Sequence, residues 1–183
     1  MERRYYIAYG SNLNVRQMKY RCPTARIIGT SVIKDYELLF KGSKTGSYLT
    51  IEKKKGEQVP VVIWETKESD ELALDRYEGC PQFYYKTEMY LPIKGIKSKK
   101  IRIRKAYVYI MHEDRELGIP SQHYLGTCLE GYLRFGFNPD YLVDALNKSK
   151  SGRIEDEEGI EEDKKMSKMW SRISRTSCNI KKR

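Results

Sequence analysis

The sequence predicts an α+β fold built on a closed or strongly curved β-sheet. Segments rich in β-branched and aromatic residues recur from the N-terminus to Met111, and six or seven of them have the composition of strands. Helical patterns are fewer, but they carry clear start and stop signals. The 183 residues are enough for one domain with a buried core.

The predicted strands dominate the first part of the chain. Gly42, Gly46 and Gly56 separate several of them, as turn residues do between neighbouring strands. A basic turn joins the last two strands, which form a hairpin. The predicted strand segments are 5–9, 26–33, 36–40, 48–52, 59–65, 83–91 and 101–111.

Two helices are predicted from their end signals in the first half of the chain. Asn14 is placed to cap a short helix in which Gln17 reaches back to the cap, and Pro23 stops this helix. A second helix covers residues 66–77, because acidic residues cluster near its start and Gly79 lies just past its end.

Two further helices follow the last strand. The third begins at Ser121, and the fourth, over residues 140–146, is opened by Asn138-Pro139. The third helix carries an apolar stripe at helical spacing, which we expect in the core. The stripe consists of Tyr124, Leu125, Cys128, Leu129, Tyr132 and Leu133.

The character of the chain changes near Ser149, so we divide it into a domain over residues 1–148 and a tail over residues 149–183. The tail begins with a linker rich in Ser, Gly and acidic residues. An apolar stripe at i, i+3, i+4 and i+7 then predicts a short amphipathic helix. This second stripe consists of Met166, Met169, Trp170 and Ile173.

Composition favours a cytoplasmic protein without a membrane anchor. No apolar run approaches the roughly 20 residues that span a bilayer, and the first residues lack the apolar stretch of a signal peptide. The four cysteines are far apart in sequence, so we expect free thiols and neither a zinc site nor a redox pair. They are Cys22, Cys80, Cys128 and Cys178.

The formal net charge of +10 raises the question of an acidic partner. The densest basic run covers residues 94–105, where seven of twelve side chains are Lys or Arg. We interpret this run as a solvated hairpin in which Ile101 and Ile103 form the buried face, alternating with exposed Arg102 and Arg104. We do not expect nucleic acid as a partner, and the oligomeric state is not predicted.

One candidate site is the turn Tyr9-Gly10-Ser11-Asn12, which follows an apolar strand and precedes a helix start. Such a turn aims backbone N–H groups at one point, which suits a carboxylate or a developing oxyanion. It lacks the glycine spacing of a dinucleotide site or a P-loop. A plain tight connection between a strand and a helix is the alternative.

The second candidate is Glu78, at the end of the second predicted helix. Leu74 and Glu78 are four residues apart, so helical geometry places Glu78 on the core side if Leu74 faces the core. Burial and the negative end of a helix both raise a carboxyl pKa, which would suit Glu78 to proton transfer near neutral pH. A terminal Glu that has frayed into solvent is the alternative.

These motifs, taken together, resemble those of the γ-glutamylcyclotransferase family. The resemblance rests on Tyr6 to Leu13, on Leu74 to Gly79 with the aromatic pair Tyr84-Tyr85, and on later positions up to Tyr141-Leu142. It covers roughly residues 4–148 and does not extend into the tail. It implies a mixed, curved, barrel-like sheet with helices packed outside, in agreement with the elements predicted above.

The resemblance also implies an activity and the residues that perform it. Members of this family convert a γ-glutamyl amide or amine into 5-oxoproline and the released amine, without a cofactor or metal. Glu78 corresponds to the acid/base residue. The substrate-binding positions carried over are Tyr9, Gly10, Ser11, Asn12, Leu13 and Tyr124.

Two functions remain open from the sequence. The first is a γ-glutamylcyclotransferase-type enzyme acting on a small γ-glutamyl substrate. The second is a catalytically idle member of the same fold that binds an acidic partner or nucleic acid through residues 94–105 and the basic C-terminal end of the chain. The turn and Glu78 together favour the enzyme, because an idle homologue has no need to keep both. Which γ-glutamyl compound is the substrate is not predicted.

Overall fold

The computed structural model of the protein describes residues 3–43 and 46–151. The strands are β1 (Arg4–Ala8), β2 (Arg26–Ser43), β3 (Gly46–Thr66), β4 (Tyr84–Gly95), β5 (Ile101–Met111) and β6 (Glu116–Leu117). The helices are α1 (Val15–Arg21), α2 (Glu68–Tyr77), α3 (Gln122–Phe135) and α4 (Asp140–Ser151), and Ser11–Leu13 forms a short 3-10 turn before α1.

Five strands close into a barrel-like sheet, in the order β3, β1, β5, β4, β2 and back to β3. β1 is antiparallel to β3 but parallel to β5, where Tyr6 pairs with Tyr107. The sheet is therefore mixed, as expected. Closure of the sheet leaves few free edges, and β6 adds only two residues along β2.

Apolar side chains from the strands fill the barrel, and the helices supply the outer layer. Ile7, Phe40, Ile51 and Ile63 are completely buried, and Leu125 of α3 joins the same core. No helix in the described part of the chain is long and apolar enough to cross a membrane.

The hairpin of β2 and β3 is longer than predicted, because four predicted segments merge into two strands. The prediction broke each strand where the structure has only a local irregularity. Register shifts between Lys34 and Tyr36, where Asp35 has a φ of 60°. Opposite it, Gly56 has a φ of 87° and its N–H donates to Asp35 Oδ1 at 2.9 Å. The residues at which the prediction ended each strand therefore form a bulge, and the two strands stay paired on both sides of this bulge.

The ends of the first two helices largely match the end signals in the sequence. The Asn14 side chain accepts hydrogen bonds from the N–H groups of Arg16 and Gln17, so Asn14 is the predicted cap. The prediction that Gln17 reaches back to the cap is wrong, since its Nε2 donates to Thr127 Oγ1 on α3. α2 begins at Glu68, two residues late, because Thr66 still pairs with β1.

The two C-terminal helices differ from the prediction in detail. Ser121 caps α3 as expected, but Leu133 of its apolar stripe is 46% exposed, because it lies off the buried face in the last turn. α4 continues to Ser151, past Leu146 and the predicted domain boundary. The reason is that the buried Ser149 hydroxyl contacts Phe40 O and Ala145 O. The second stripe, from Met166 to Ile173, lies outside the described residues.

The basic hairpin of β4 and β5 forms as predicted, but the isoleucines of its basic part are not buried. Ile101 and Ile103 are 67% and 74% exposed, so the prediction that they form a buried face is wrong. Directly paired residues of antiparallel strands lie on the same face, and Arg102 pairs with buried Ile93. The arginines therefore share the face of the buried β4 residues. Arg104 places its guanidinium 4.9 Å from the ring centre of Tyr5.

Candidate active site

The turn between β1 and α1 has backbone N–H groups that its own hydrogen bonds do not use. Its first internal bond runs from Leu13 N to Gly10 O at 2.9 Å, so the N–H groups of Ser11 and Asn12 precede this bond. A Cβ built on Gly10 would lie 3.2 Å from Tyr124 Oη and 3.4 Å from Leu49 Cβ. A side chain on residue 10 would therefore crowd the Tyr124 hydroxyl, and glycine leaves room for the close approach of α3 and β3 to this turn.

Glu78 is held in place by the way in which α2 ends. Gly79 adopts a φ of 62°, the left-handed conformation that commonly terminates helices. The N–H of Cys80 then donates to Asp75 O at 2.9 Å and that of Gly79 to Arg76 O at 3.3 Å. Glu78 keeps helical backbone angles just before this reversal, and its N–H donates to Leu74 O. As predicted, Leu74 is in the core and Glu78 follows it on the same side.

Asn12 links the turn directly to Glu78. Its Nδ2 donates to Glu78 Oε1 at 2.9 Å and to Tyr6 Oη at 2.8 Å, so both amide hydrogens are used. Its Oδ1 accepts from Arg21 Nη1 at 2.5 Å. Arg21 therefore fixes the amide orientation, because the reversed amide would direct its N–H groups at the guanidinium.

Burial sets the proton affinity of Glu78. Removal of the carboxyl from water raises its pKa to about 7, and this effect outweighs the opposing influences of Arg21 and of the Asn12 hydrogen bond. Near neutral pH both protonation states are thus populated. A carboxyl in this condition can accept a proton and return it, as a general acid/base requires.

The predicted site residues meet at one narrow cavity of about 30 Å³. It is lined by Tyr6, Tyr9, Gly10, Ser11, Asn12, Leu49, Glu78, Tyr84, Tyr109 and Tyr124. The assigned positions Tyr9 to Asn12, Glu78 and Tyr124 are all in this set. Leu13 is not, because it is fully buried behind the turn, where a Cβ on Gly131 would lie 2.4 Å from Leu13 Cβ.

The tyrosines of this cavity direct their hydroxyl groups mostly at the backbone. Tyr9 donates to Tyr109 O at 2.6 Å, and Tyr84 donates to Leu49 O at 2.9 Å. Tyr124 Oη accepts from Leu49 N at 3.1 Å. Burial holds the pKa of the Tyr9, Tyr84 and Tyr124 phenols well above the usual value, so they stay neutral. They form rigid walls around one ionisable carboxyl.

Sequence reasoning missed Arg21, Tyr6 and Tyr84 as parts of the site. Tyr6 is the first residue of the motif from Tyr6 to Leu13, and its place in that motif was an available signal. Tyr84 lies in the aromatic pair that supported the resemblance. Arg21 had no signal of its own, since its contacts with Asn12 and with the Tyr77 hydroxyl at 2.5 Å arise from the packing of α1 on α2.

Other reactive groups do not form a competing site in the described residues. No group of three or more His, Cys, Asp or Glu side chains there is arranged to hold a metal ion. Cys22, Cys80 and Cys128 are free thiols, while Cys178 lies outside the described residues. Burial raises the pKa of the Cys80 thiol, the one nearest to Glu78 in sequence, which disfavours the reactive thiolate.

Comparison with known proteins gives consistent matches. The family model for gamma-glutamyl cyclotransferase, AIG2-like proteins matches residues 6–126. A gamma-glutamylcyclotransferase of Homo sapiens is 33% identical over 143 residues, which are 74% of this chain and 73% of that protein. One of Bos taurus is 34% identical over 96 residues, 49% of this chain and 48% of that protein, so the match spans about half of its length.

The fold agrees with these sequence matches. A solved structure named gamma-glutamyl cyclotransferase superposes with a TM-score of 0.67 at 25% identity, over 81% of this chain and 87% of that one. The aligned part covers most of the described residues, so the similarity includes the barrel and the helices outside it. The site geometry and the sequence matches therefore concern the same part of the chain.

Proposed function

Because the chain belongs to the gamma-glutamyl cyclotransferase, AIG2-like family, we propose that it cyclises the γ-glutamyl group of a small amide to 5-oxoproline and releases the amine. The observation that carries this proposal is Glu78, a carboxyl with a pKa of about 7 that is hydrogen-bonded to Asn12 beside the N–H groups of the glycine turn. One proton shuttle and one anion-stabilising turn are the two parts that this reaction needs.

The reaction is an intramolecular aminolysis. The substrate's α-amine nitrogen attacks its γ-carbonyl carbon, and a C–N bond forms that closes a five-membered ring. Glu78 takes the proton that the attacking nitrogen loses and delivers it to the departing nitrogen as the original C–N bond breaks. Atoms balance without water, oxidant or reductant. The nucleophile comes from the substrate, so the protein supplies geometry and proton transfer.

The turn is suited to the oxyanion that develops on the γ-carbonyl oxygen. The N–H groups of Ser11 and Asn12 precede the first internal bond of the 3-10 turn, so they are available to a ligand. The Asn12 side chain is already committed to Glu78 and Tyr6, so in this proposal it positions the base. The surrounding tyrosines hold the substrate in the folded shape that ring closure requires.

The test is to incubate the purified protein with a panel of γ-glutamyl amino acids and γ-glutamyl amines and to quantify 5-oxoproline by mass spectrometry. We expect product from at least one compound, with release of one amine per 5-oxoproline. Failure of the whole panel would reject the proposal and favour a catalytically idle binding protein. The absorbance of the protein near 260 nm, before and after a salt wash, then tests for bound nucleic acid.

A further inference from the structure

The tip of the hairpin of β4 and β5, residues 94–105, is an exposed basic surface. Seven of its twelve side chains are Lys or Arg, and none is acidic. We propose that an acidic run of the same chain, residues 155–163, binds to this hairpin tip. The acidic run lies outside the described residues and begins four positions after Ser151, where α4 ends. The inference goes beyond the proposed function and does not depend on it.

One face of the hairpin carries apolar side chains that the rest of the described structure leaves exposed. Directly paired residues of antiparallel strands lie on the same face, and Pro92 pairs with Ile103 while Lys94 pairs with Ile101. Tyr90, two residues before Pro92, belongs to the same face and is 70% exposed, like the two isoleucines. A cluster of exposed apolar side chains is characteristic of an interaction surface.

The cations of the hairpin tip have few partners in the described part of the chain. Lys105 pairs with Glu88 at 2.5 Å, and the Arg104 guanidinium lies over the ring of Tyr5. The other five form no ion pair within the described residues: Lys94, Lys97, Lys99, Lys100 and Arg102. Like charges this close to one another repel, so an acidic segment placed among them is stabilising.

The acidic run is complementary to this surface in charge and also has apolar residues. Seven of its nine residues are Asp or Glu and none is basic, so its formal charge of −7 is opposite to the +7 of residues 94–105. Ile154 precedes the acids and Ile160 interrupts them. A segment of this composition suits a basic surface with exposed isoleucines, because it offers both carboxylates and apolar side chains.

The chain is long enough for the acidic run to reach the hairpin tip. The end of α4 is held on β2 by the hydrogen bond from Ser149 Oγ to Phe40 O, and the hairpin meets β2 where Thr30 pairs with Lys94. Phe40 and Thr30 are ten residues apart on β2, which is about 33 Å at most. Residues 152–163 span up to about 40 Å when extended. The acids at the end of the run therefore reach Lys94 within one molecule.

A second basic segment, residues 53–55, is a rival site for the acidic run. Its three lysines are exposed, but Lys54 already pairs with Glu37 at 3.0 Å. Residues 52–57 contain three lysines and two glutamates, so their formal net charge is only +1. The hairpin tip has more than twice as many cations and no acid, which makes it the stronger site.

Tethering favours the acidic run of the same molecule over a second copy or an outside polyanion. A segment joined to its site by a short linker has an effective concentration in about the millimolar range, far above that of most partners in solution. Two copies that each present a basic hairpin tip also repel each other. The acidic run therefore competes with nucleic acid and other acidic partners for residues 94–105.

Hydrogen exchange of the full-length protein, followed by mass spectrometry, tests this contact. The test variant has the matching amide in place of each acid of the run: Glu155, Asp156, Glu157, Glu158, Glu161, Glu162 and Asp163. At low salt the amides of residues 94–105 should exchange about tenfold faster in this variant than in the wild type, the scale of a few exposed ion pairs together. At about 1 M NaCl, which screens such pairs, the two proteins should exchange alike.

Two further sets of substitutions assign the effect to the two segments. Lys97→Gln, Lys99→Gln and Lys100→Gln together should remove the difference between the wild-type and the neutralised acidic run, because the hairpin has then lost the cations of its turn. Lys164→Gln with Lys165→Gln is the matched control, since these lysines directly follow the acidic run. This control should leave exchange of the hairpin tip as slow as in the wild type.

Three results would overturn the inference. Equal exchange of the hairpin tip in the wild type and the test variant at low salt would mean that it is a solvated surface. Faster exchange of residues 52–57 in place of the hairpin tip would assign the acidic run to the rival lysines. Slow exchange that is lost on dilution from about 50 µM to about 1 µM would make a second copy the source of the bound segment. All three results leave 5-oxoproline formation, the test of the proposed function, unaffected.

Discussion

α2 holds acidic side chains in two opposite ways. Glu71 is paired with Arg4 at 2.5 Å and with Lys86 at 2.7 Å, and Asp75 shares Lys86 at 2.8 Å. Glu78, at the end of the same helix, has no cation within salt-bridge distance in the described chain and is bonded to the neutral amide of Asn12.

The comparison shows how one helix carries a carboxyl group held by ion pairs and another held by a neutral amide. A cation in contact compensates the charge of Glu71 and makes it part of the scaffold that fixes α2 on β4. Without such contact, burial raises the pKa of Glu78 to about 7. The identity of the neighbour, a cation or an amide, thus separates the two roles.

Glu78→Gln should have the largest effect. The amide is nearly isosteric and its oxygen can still accept from Asn12, so the fold should persist, but it cannot shuttle a proton. General acid/base catalysis contributes about 10²- to 10⁴-fold, and kcat should fall by that factor or more. The measurement is 5-oxoproline formation by a variant with unchanged circular dichroism. Near-normal turnover would reject the role of Glu78.

The same substitution should stabilise the protein at high pH. Glu78 has a folded pKa of about 7, above the ordinary 4.5, so the folded state retains a proton that the unfolded state has lost between these values. Stability of the wild type therefore decreases as pH rises from about 4.5 to about 7. Above that window, Glu78→Gln should be more stable by up to about 3 kcal/mol.

Urea denaturation of wild type and Glu78→Gln at pH 4 and pH 8 measures this difference. The two proteins should have similar free energies of unfolding at pH 4 and should diverge at pH 8. If the wild type is as stable as the variant at pH 8, Glu78 is solvated. This is the alternative in which the helix end has frayed into solvent.

Glu71→Gln should mainly reduce the stability of the protein and should have little effect on turnover. It removes the charge that pairs with Arg4 and Lys86, and the Glu71 side chain is only 8% exposed. We expect a loss of about 2 kcal/mol of stability, less than for a fully buried pair because both cations reach solvent. The kcat should stay within about threefold of wild type, since Glu71 does not line the narrow cavity beside Glu78. A large loss of kcat in a folded variant would contradict the division of roles.

Arg21→Gln should have the smallest effect, and this effect should be a shift in the pH dependence of kcat/KM. Arg21 lowers the pKa of Glu78 and orients Asn12, so its loss should move the ascending limb of the kcat/KM profile to higher pH. The other titratable side chains that line the cavity are phenols, which stay neutral and leave this limb in place. Arg16→Gln, another arginine of α1, is the control and should not shift it. An unshifted limb for Arg21→Gln would remove Arg21 from the site.

Local signals in the sequence predicted much of the fold and several of the residues that meet at the candidate site. Asn14 and Ser121 are caps, and Gly79 ends α2, because each of these depends on neighbouring backbone atoms. The turn and Glu78 were recognised from their motifs, and the structure brings them within one hydrogen bond. Spacing along a helix was sufficient to place Glu78 beside Leu74.

Long-range packing explains what the sequence could not predict. Period-2 alternation located β5 but not the face that it buries, so the orientation of Ile101 and Ile103 was wrong. The extension of α4 depends on a contact between Ser149 and Phe40, 109 residues away in sequence. Arg21 likewise reaches Tyr77 across 56 positions. Such contacts leave no periodic pattern in the chain.

The titration of the Glu78 carboxyl decides whether Glu78 can act as the proposed proton shuttle. Carbon-13 NMR of protein labelled at glutamate carboxyl carbons follows each Glu through pH, and Glu78→Gln identifies the missing resonance. We expect one resonance with a midpoint near pH 7 that is absent from the variant. If the resonance lost in Glu78→Gln titrates below about pH 5, Glu78 is an ordinary solvated carboxylate and the proposed proton shuttle is wrong.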